Sequence, residues 1–501
     1  MSQLKKGVAL SYVIIFLTNV IGLVLTPFII KSLGKSEYGL YTMIGALVGY
    51  LTILDFGLNS TIVRFVAKYR VEKDKKGEEN FLAHSFLIYG FIALIVICIG
   101  LLVYFNLDTL YSDTLTFDQL KQAKIMFLVL IFNLAITLPG GAFTGICSGY
   151  EEFVLPRIAN IVRYILRSLI VVGLLMLGGD AVGIVVVDTI MNLLIIAINM
   201  AIAFKKLNIK IKLHQFEKQL LKLIVGYSVW IFVFAIVHQL RWQAGQLVLG
   251  LTFSTSVVAI YAVAVTLGNY YGAFSSAIAS VFLPRATQMV TANASPKELT
   301  DMFIKISRII LIVLLYIFGG FILVGKDFIY LWVGNEFIEV YIYVIIIMFG
   351  LTLILSQGFA NNILEAKNKL KFRGYLILFL TIGGVIFGSF LSHKHKGLGM
   401  IIGTVVFMLF ERVIMTWYYH SKIKLEMIRY YKEIAPIFIL SLIIFVITNY
   451  LTQYLPNYSL KYLFIRVIVY SFLYTVLLWF ILTSYEKILV YNLNVKIKKL
   501  F

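Results

Sequence analysis

Arg163 and Arg167 stand one helical turn apart in "RIANIVRYILRSLIVVGLL" (157–175), a run otherwise apolar enough to cross a bilayer. On a helix they share a face with Asn160. Two like charges so placed repel unless something neutralises them. Arginine presents a planar fork of donors that matches phosphate or carboxylate oxygens two at a time. Two such forks on one face suit a diphosphate. An ion pair of Arg167 with Asp55, Glu151 or Asp188 is the competing reading. Arg167 lies about ten residues into the run, roughly 15 Å deep, where reaching back to the headgroups is strained.

The next apolar run carries Asp188, Asn192 and Asn199, all within about 40° of one another on a helical wheel. Such a stripe suits a wet lumen and sugar hydroxyls, because amides both donate and accept. It also suits hydrogen bonding between helices, the usual work of membrane asparagines. A third stretch, "LTILDFGLNSTIVRF" (51–65), holds Asp55, Asn59 and Arg64. On an unbroken helix Thr52, Asp55 and Asn59 share one face and Arg64 opposes them. Arg64 is close enough to the span end to snorkel. Asp55 is deeper, where a charge costs on the order of 3 kcal/mol, so it needs a partner, water or a proton. Asp55 and Asp188 are therefore the candidate ion-coupling or charge-partner groups. Farther on, His238, Arg241, Gln243 and Gln246 fall in the outer third of one span, and Asn269, Ser276 and Ser280 share a face of the following one. The candidate substrate contacts are thus Arg163, Arg167, Arg241, Asn59, Asn192 and Asn269. Arg308, Arg412 and Arg466 lie near span ends and are expected to snorkel.

The elements that must carry these groups are membrane helices. Of 501 residues, 61% are hydrophobic and 14% charged, with mean hydropathy +0.94; soluble domains are about 25% charged. Apolar runs of the length needed to span a bilayer recur throughout. Fourteen are expected, near 7–30, 40–66, 82–105, 122–146, 158–177, 184–203, 223–251, 258–283, 306–324, 338–360, 375–391, 398–418, 434–452 and 462–483. The first follows Lys5-Lys6 but is too long for a signal peptide and lacks a cleavage site, so it reads as a retained span. Segments sharing a side with the N-terminus carry 29 of the 44 Lys and Arg, against 7 on the opposite side. The positive-inside rule then puts both termini in the cytoplasm. The net charge of +20 is mostly this orientation signal, with some attraction to anionic membrane lipids; nucleic acid is a poor partner for it.

Several classes are disfavoured. The outer loops reach about 16 residues at most (106–121), too short for the catalytic loops of membrane glycosyltransferases and polymerases. No G-x-x-x-x-G-K-[ST] loop is present, so energy must come from a gradient of protons, sodium or substrate, from the membrane potential, or from a partner. Cys98 and Cys147 suggest neither disulfide nor metal site, and no cofactor is implied. A weak repeat pairs "GLYTMIGALVGY" (39–50) with "AIYAVAVTLGNY" (259–270), as in transporters built from repeated halves.

The chain resembles the polysaccharide-transporter branch of the multidrug/oligosaccharidyl-lipid/polysaccharide exporter superfamily, the O-antigen and capsule flippases. "TPFIIKSLGKSEYGLY" (26–41) is similar to a family pattern P-x-x-x-R-x-L-G-x-x-E-Y-G-L-Y, with Lys31 for the common Arg. "LDFGLNSTIVRF" (54–65), "FIYLWVGNEF" (328–337) and "SSAIASVFLPRATQMV" (275–290) add to the likeness in the same order along the chain. The resemblance implies an all-α polytopic fold with two pseudo-symmetric six-helix lobes (1–203 and 223–418) joined by a cytoplasmic linker (204–222). Two further helices (434–483) and a basic tail (484–501) follow. It also implies a central basic cavity and flipping of undecaprenyl-pyrophosphate-linked oligosaccharide across the bacterial cytoplasmic membrane by alternating access. Relatives often carry an acid in span 7 where this chain has Gly245, which shifts ion coupling toward Asp55 or Asp188. A drug or cation antiporter of the same superfamily, a flippase for peptidoglycan or teichoic precursors, and a membrane glycosyltransferase or polymerase remain as alternatives.

Overall fold

Backbone groups in hydrocarbon have no water to bond, so an apolar span must close its hydrogen bonds within itself. The computed structural model, which describes residues 3–488 apart from Phe56 and Asn368, meets that demand with helices; among those residues there is no strand. Residues 489–501 of the expected tail, and the side chains of Ser276 and Ser280, lie outside the description. The helices are α1 (Gln3–Leu51), α2 (Leu58–Glu72), α3 (Lys75–Tyr111), α4 (Phe117–Gly149), α5 (Val154–Met176), α6 (Ala181–Ala201), α7 (Lys218–Thr252), α8 (Thr255–Val281), α9 (Leu283–Thr291), α10 (Pro296–Val333), α11 (Val340–Leu355), α12 (Gly358–Ala366), α13 (Leu370–Lys422), α14 (Met427–Thr452) and α15 (Leu460–Ile481). Among the described residues ten helices are long and apolar enough to cross a membrane, or eleven with the bent pair α11–α12. α1 and α13 are too long for one crossing, and each breaks at a turn, at Gly34 (φ 77°) and Lys396 (φ 49°). With those breaks and the 35-residue α7, fourteen helical segments occupy the places of the fourteen expected spans.

The chain divides into two compact units, Met1–Ala262 and Val263–Phe501. The expected linker, 204–222, lies inside the first. It is pinned to the start of α3, where Asn80 Oδ1 accepts from the backbone N–H groups of His214 and Gln215, and His84 Nε2 accepts from that of Glu217.

In the first unit the second span is not one helix. α1 ends at Leu51, a 3-10 turn covers Thr52–Asp55, and α2 restarts after Gly57, whose φ of 69° suits glycine. Asp55 accepts the Tyr89 hydroxyl at 3.0 Å and the backbone N–H groups of Gly57 and Asn59. It therefore serves the exposed start of α2 much as a cap does. The common face expected for Thr52, Asp55 and Asn59 assumed an unbroken helix, and the break removes it. Below the break α2 packs on α4, where a Cβ at Gly145 would stand 2.5 Å from Asn59 Oδ1 and one at Gly149 2.8 Å from Val66. Above it, Gly39 lies so near the Thr255 carbonyl that a Cβ would come within 1.9 Å of its oxygen.

The second unit corrects another expectation. Arg308, Arg412 and Arg466 do not snorkel; they are buried, at 5%, 7% and 6% exposure. Each has partners inside the protein, which is cheaper than dragging a charge to the membrane edge. Arg308 on α10 forks onto Glu486 (2.7 and 3.1 Å) and donates to the Glu433 and Ile481 carbonyls. Arg466 on α15 pairs with Asp327 of α10 and donates to the Leu455 carbonyl and Asn457. Arg412 lies under the Tyr419 ring and donates to the Ile354 carbonyl. Between the two ion pairs, Tyr316 bonds Ser471, and Tyr470 and Tyr474 donate to the Leu315 and Ile312 carbonyls. α10 and α15 are thus joined near both ends and in the middle, and α14 is drawn in through Glu433.

Glu486 lies beyond α15. Its burial opposes ionisation, but hydrogen bonds from Arg308 and the Thr483 backbone outweigh this and hold its carboxyl below the usual range. A carboxylate lowered on folding adds stability above its unfolded value, and that stability is lost as pH falls through the folded one. Glu486→Gln leaves a buried guanidinium without its counter-charge, a loss of about 3–5 kcal/mol. The melting temperature of the purified variant in detergent is expected to fall at neutral pH, and the gap to the parent protein to narrow as pH falls below the ordinary glutamate range. A pH-independent gap would show that the charge is not what matters. At Gly39, Gly39→Ala is expected to abolish the yield of monodisperse protein. Gly45→Ala, where nothing lies within 4 Å of the added carbon, should leave it unchanged. Equal yields would refute the close approach.

Candidate functional site

The polar groups of spans 4, 5 and 6 meet within the first unit. α5 carries Arg163 and Arg167 on the face toward α6, because the rest of its circumference is apolar and largely exposed, with Val162, Ile165, Leu166 and Leu169 all outward. Arg167 forks onto Asp188 of α6, Nε donating to Oδ1 at 2.5 Å and Nη2 to Oδ2 at 2.9 Å. One turn toward the start of α5, Arg163 Nη1 donates to Asn192 Oδ1 at 2.6 Å, and its guanidinium lies 4.6 Å from the Tyr164 ring centre. The i, i+4 spacing on α5 therefore matches the i, i+4 spacing on α6, cation to anion and cation to amide. Asn192 Nδ2 donates in turn to Asn133 Oδ1 on α4 at 3.2 Å, and Thr137 donates to the same oxygen at 2.9 Å. Tyr41 of α1 completes the group, close enough to interact with both Arg167 and Asp188.

Asn133, Arg163, Tyr164, Arg167, Asp188 and Asn192 line a cavity of about 290 Å³. Two guanidinium groups against one carboxylate leave it net positive by one charge. Asp188 and Arg167 are about a quarter exposed, at 27% and 23%. Such a site can take an anion with several acceptor oxygens and offer amides to hydroxyl groups. A larger cavity, about 560 Å³, lies between α9 and α10, but it holds Glu298 and Asp301 as well as Arg285 and Lys305, so its charge favours no one sign. Among the described residues no group of three His, Cys, Asp or Glu side chains could hold a metal.

The other expected contacts lie elsewhere. Asn199, the third member of the α6 stripe, is 1% exposed and donates to Thr144 of α4, so it joins helices. Asn59 is turned against Gly145, its Oδ1 buried with no hydrogen-bond partner. Asp55 sits at the helix break with Tyr89. Arg241 is on α7, three residues beyond the exposed His238, and does not line the α5–α6 cavity. Asn269 is exposed on the part of α8 that belongs to the second unit. Tyr41, Asn133 and Thr137 were not foreseen. Asn133 had a signal: it is a lone amide in the apolar run "FLVLIFNLAIT" (127–137), with Thr137 one turn on. Tyr41 had none, since a tyrosine near a span end passes for an interface anchor.

Residues 4–290, more than half of the chain, match the family model described as "Polysaccharide biosynthesis protein". A Shigella flexneri protein named "Putative O-antigen transporter" is 22% identical over 411 residues, covering 78% of this chain and 92% of that one. Among solved structures, that of a lipid II flippase in an inward closed conformation superposes with a TM-score of 0.71 at 15% identity, covering 94% of this chain and 98% of the other. An inward-facing multidrug resistance transporter of the MOP superfamily gives 0.57 at 15% identity, covering 81% and 96%. At such identities the structural matches establish the fold. This multi-pass helical membrane protein belongs to the polysaccharide biosynthesis protein family.

Proposed function

We propose that the protein is a flippase that carries an oligosaccharide linked to a polyprenyl pyrophosphate across the bacterial cytoplasmic membrane by alternating access, with both termini in the cytoplasm. The observation that carries this reading is the convergence of Arg163 and Arg167, with Asn133 and Asn192, on one net-positive cavity at span depth. The arginines meet the diphosphate and the amides meet sugar hydroxyls; Arg241 on α7 is a further contact. Family membership supports a role in polysaccharide assembly, and the Shigella relative's name supports an O-antigen or similar glycan as cargo. Asp188, already paired with a cavity arginine, is the better charge partner for the cycle. Asp55 has its acceptors occupied by Tyr89 and two backbone N–H groups.

A drug or cation antiporter is the second reading, favoured by the fold match to a multidrug transporter and opposed by the sign of the cavity's charge.

Arg163→Gln removes a positive charge while keeping a donor for Asn192. A charge-assisted contact contributes about 1.5–3 kcal/mol, so surface-polysaccharide export in a flippase-deleted host is expected to fall roughly ten- to a hundredfold, with membrane abundance unchanged. Undiminished export at normal abundance would eliminate the phosphate contact. Efflux of organic cations by the parent protein in proteoliposomes would support the antiporter.

A further inference from the structure

Apart from the exposed Arg429 pairs with Asp301 and Glu426, three arginine–carboxylate pairs are described, and they are not alike. In Arg308–Glu486 and Arg466–Asp327 no side chain is more than 8% exposed, and each arginine also donates to backbone carbonyls. Those pairs are built into the packing. Arg167–Asp188 is more exposed, at 23% and 27%, opens on the cavity, and has as its described partners only the side chains of Asp188 and Tyr41. Its neighbour Arg163 is held by a neutral amide and keeps its full charge for the cavity. The carboxylate therefore stands where an incoming phosphate would bind, making on Arg167 the same two-oxygen contact.

We propose that Asp188 is an internal counter-anion: it occupies Arg167 while the cavity is empty, and a diphosphate displaces it, the freed carboxylate taking up a proton from solvent. This rests on the diphosphate reading above and adds how the site rejects weaker anions. A single carboxylate ligand would exchange like for like and gain nothing. A diphosphate spans Arg163 and Arg167 together, so the second arginine supplies the surplus that drives the exchange. The charge balance fixes the proton. A dianion with ionised Asp188 would set three negative charges against two positive ones on adjacent side chains. With the proton on Asp188 the charges match. The titratable and charged groups facing Asp188 are Arg163, Tyr164 and Arg167 on α5 and Tyr41 on α1; α4 contributes the neutral Asn133.

Purified full-length protein in detergent is titrated calorimetrically at neutral pH, in buffers of different ionisation enthalpy, with inorganic pyrophosphate and with a polyprenyl pyrophosphate. The wild-type protein is expected to take up a substantial fraction of a proton per ligand beyond that exchanged by the ligand itself. Asp188→Asn, near-isosteric and uncharged, is expected to lose that uptake and to bind roughly tenfold more tightly, the gain from freeing one charge-assisted contact. Tighter binding of the polyprenyl compound assigns the diphosphate to a lipid and equal binding to a soluble ion; either is the ligand class named. Weaker binding by Asp188→Asn, with the variant monodisperse, would overturn the counter-anion and make Asp188 part of the ligand's own support. Equal affinity without proton uptake would overturn it while leaving the diphosphate site standing. No binding by either protein would remove the diphosphate reading and the counter-anion with it.

Discussion

A guanidinium inside an apolar slab must find its counter-charge within the protein, and the architecture follows from where those counter-charges sit. Burying an ion costs several kcal/mol even after relaxation, and only a close, well-bonded partner offsets it. Where the partner is sealed in and backbone carbonyls take the remaining donors, as around Arg308 and Arg466, charge fixes helices to each other. Where the partner is another side chain at the edge of a cavity, as at Arg167, the same chemistry leaves an exchangeable contact. One residue type thus does two kinds of work, and the difference lies in access and in the backbone around it.

The helices themselves were legible because hydropathy alone demands them, and the turns at Gly34 and Lys396 fall between expected spans. The pairing of α5 with α6 was also within reach. Arg163 and Arg167 on one helix and Asp188 and Asn192 on the next share a spacing, and antiparallel neighbours joined by a short turn can meet rung by rung. What escaped was anything depending on partners remote in sequence. Arg308 looked like an anchor because nothing near it in the chain announces Glu486, 178 residues on. Tyr41 escaped because nothing near it in the chain announces Arg167 or Asp188.

The stretch around Asp55 shows a different limit. A helical wheel presumes an unbroken helix, and within "LDFGLN" the glycine that ends the regular pattern was plain to see. An isolated glycine in a membrane span is common enough that its left-handed conformation became evident only from the backbone. Once the break is known, the acid needs no lumen to justify it, because the freshly exposed amides at the start of α2 supply its partners.

That break divides the second span mechanically. The upper piece is committed to the start of α8 through Gly39, and also carries Tyr41 to the Arg167–Asp188 pair; the lower piece is committed to the glycines of α4. The two pieces meet at one left-handed glycine and a 3-10 turn with few helical bonds across it. Span 2 is therefore two separately seated pieces: the upper one brings Tyr41 to the Arg167–Asp188 pair, and the lower one stays bedded on its neighbour.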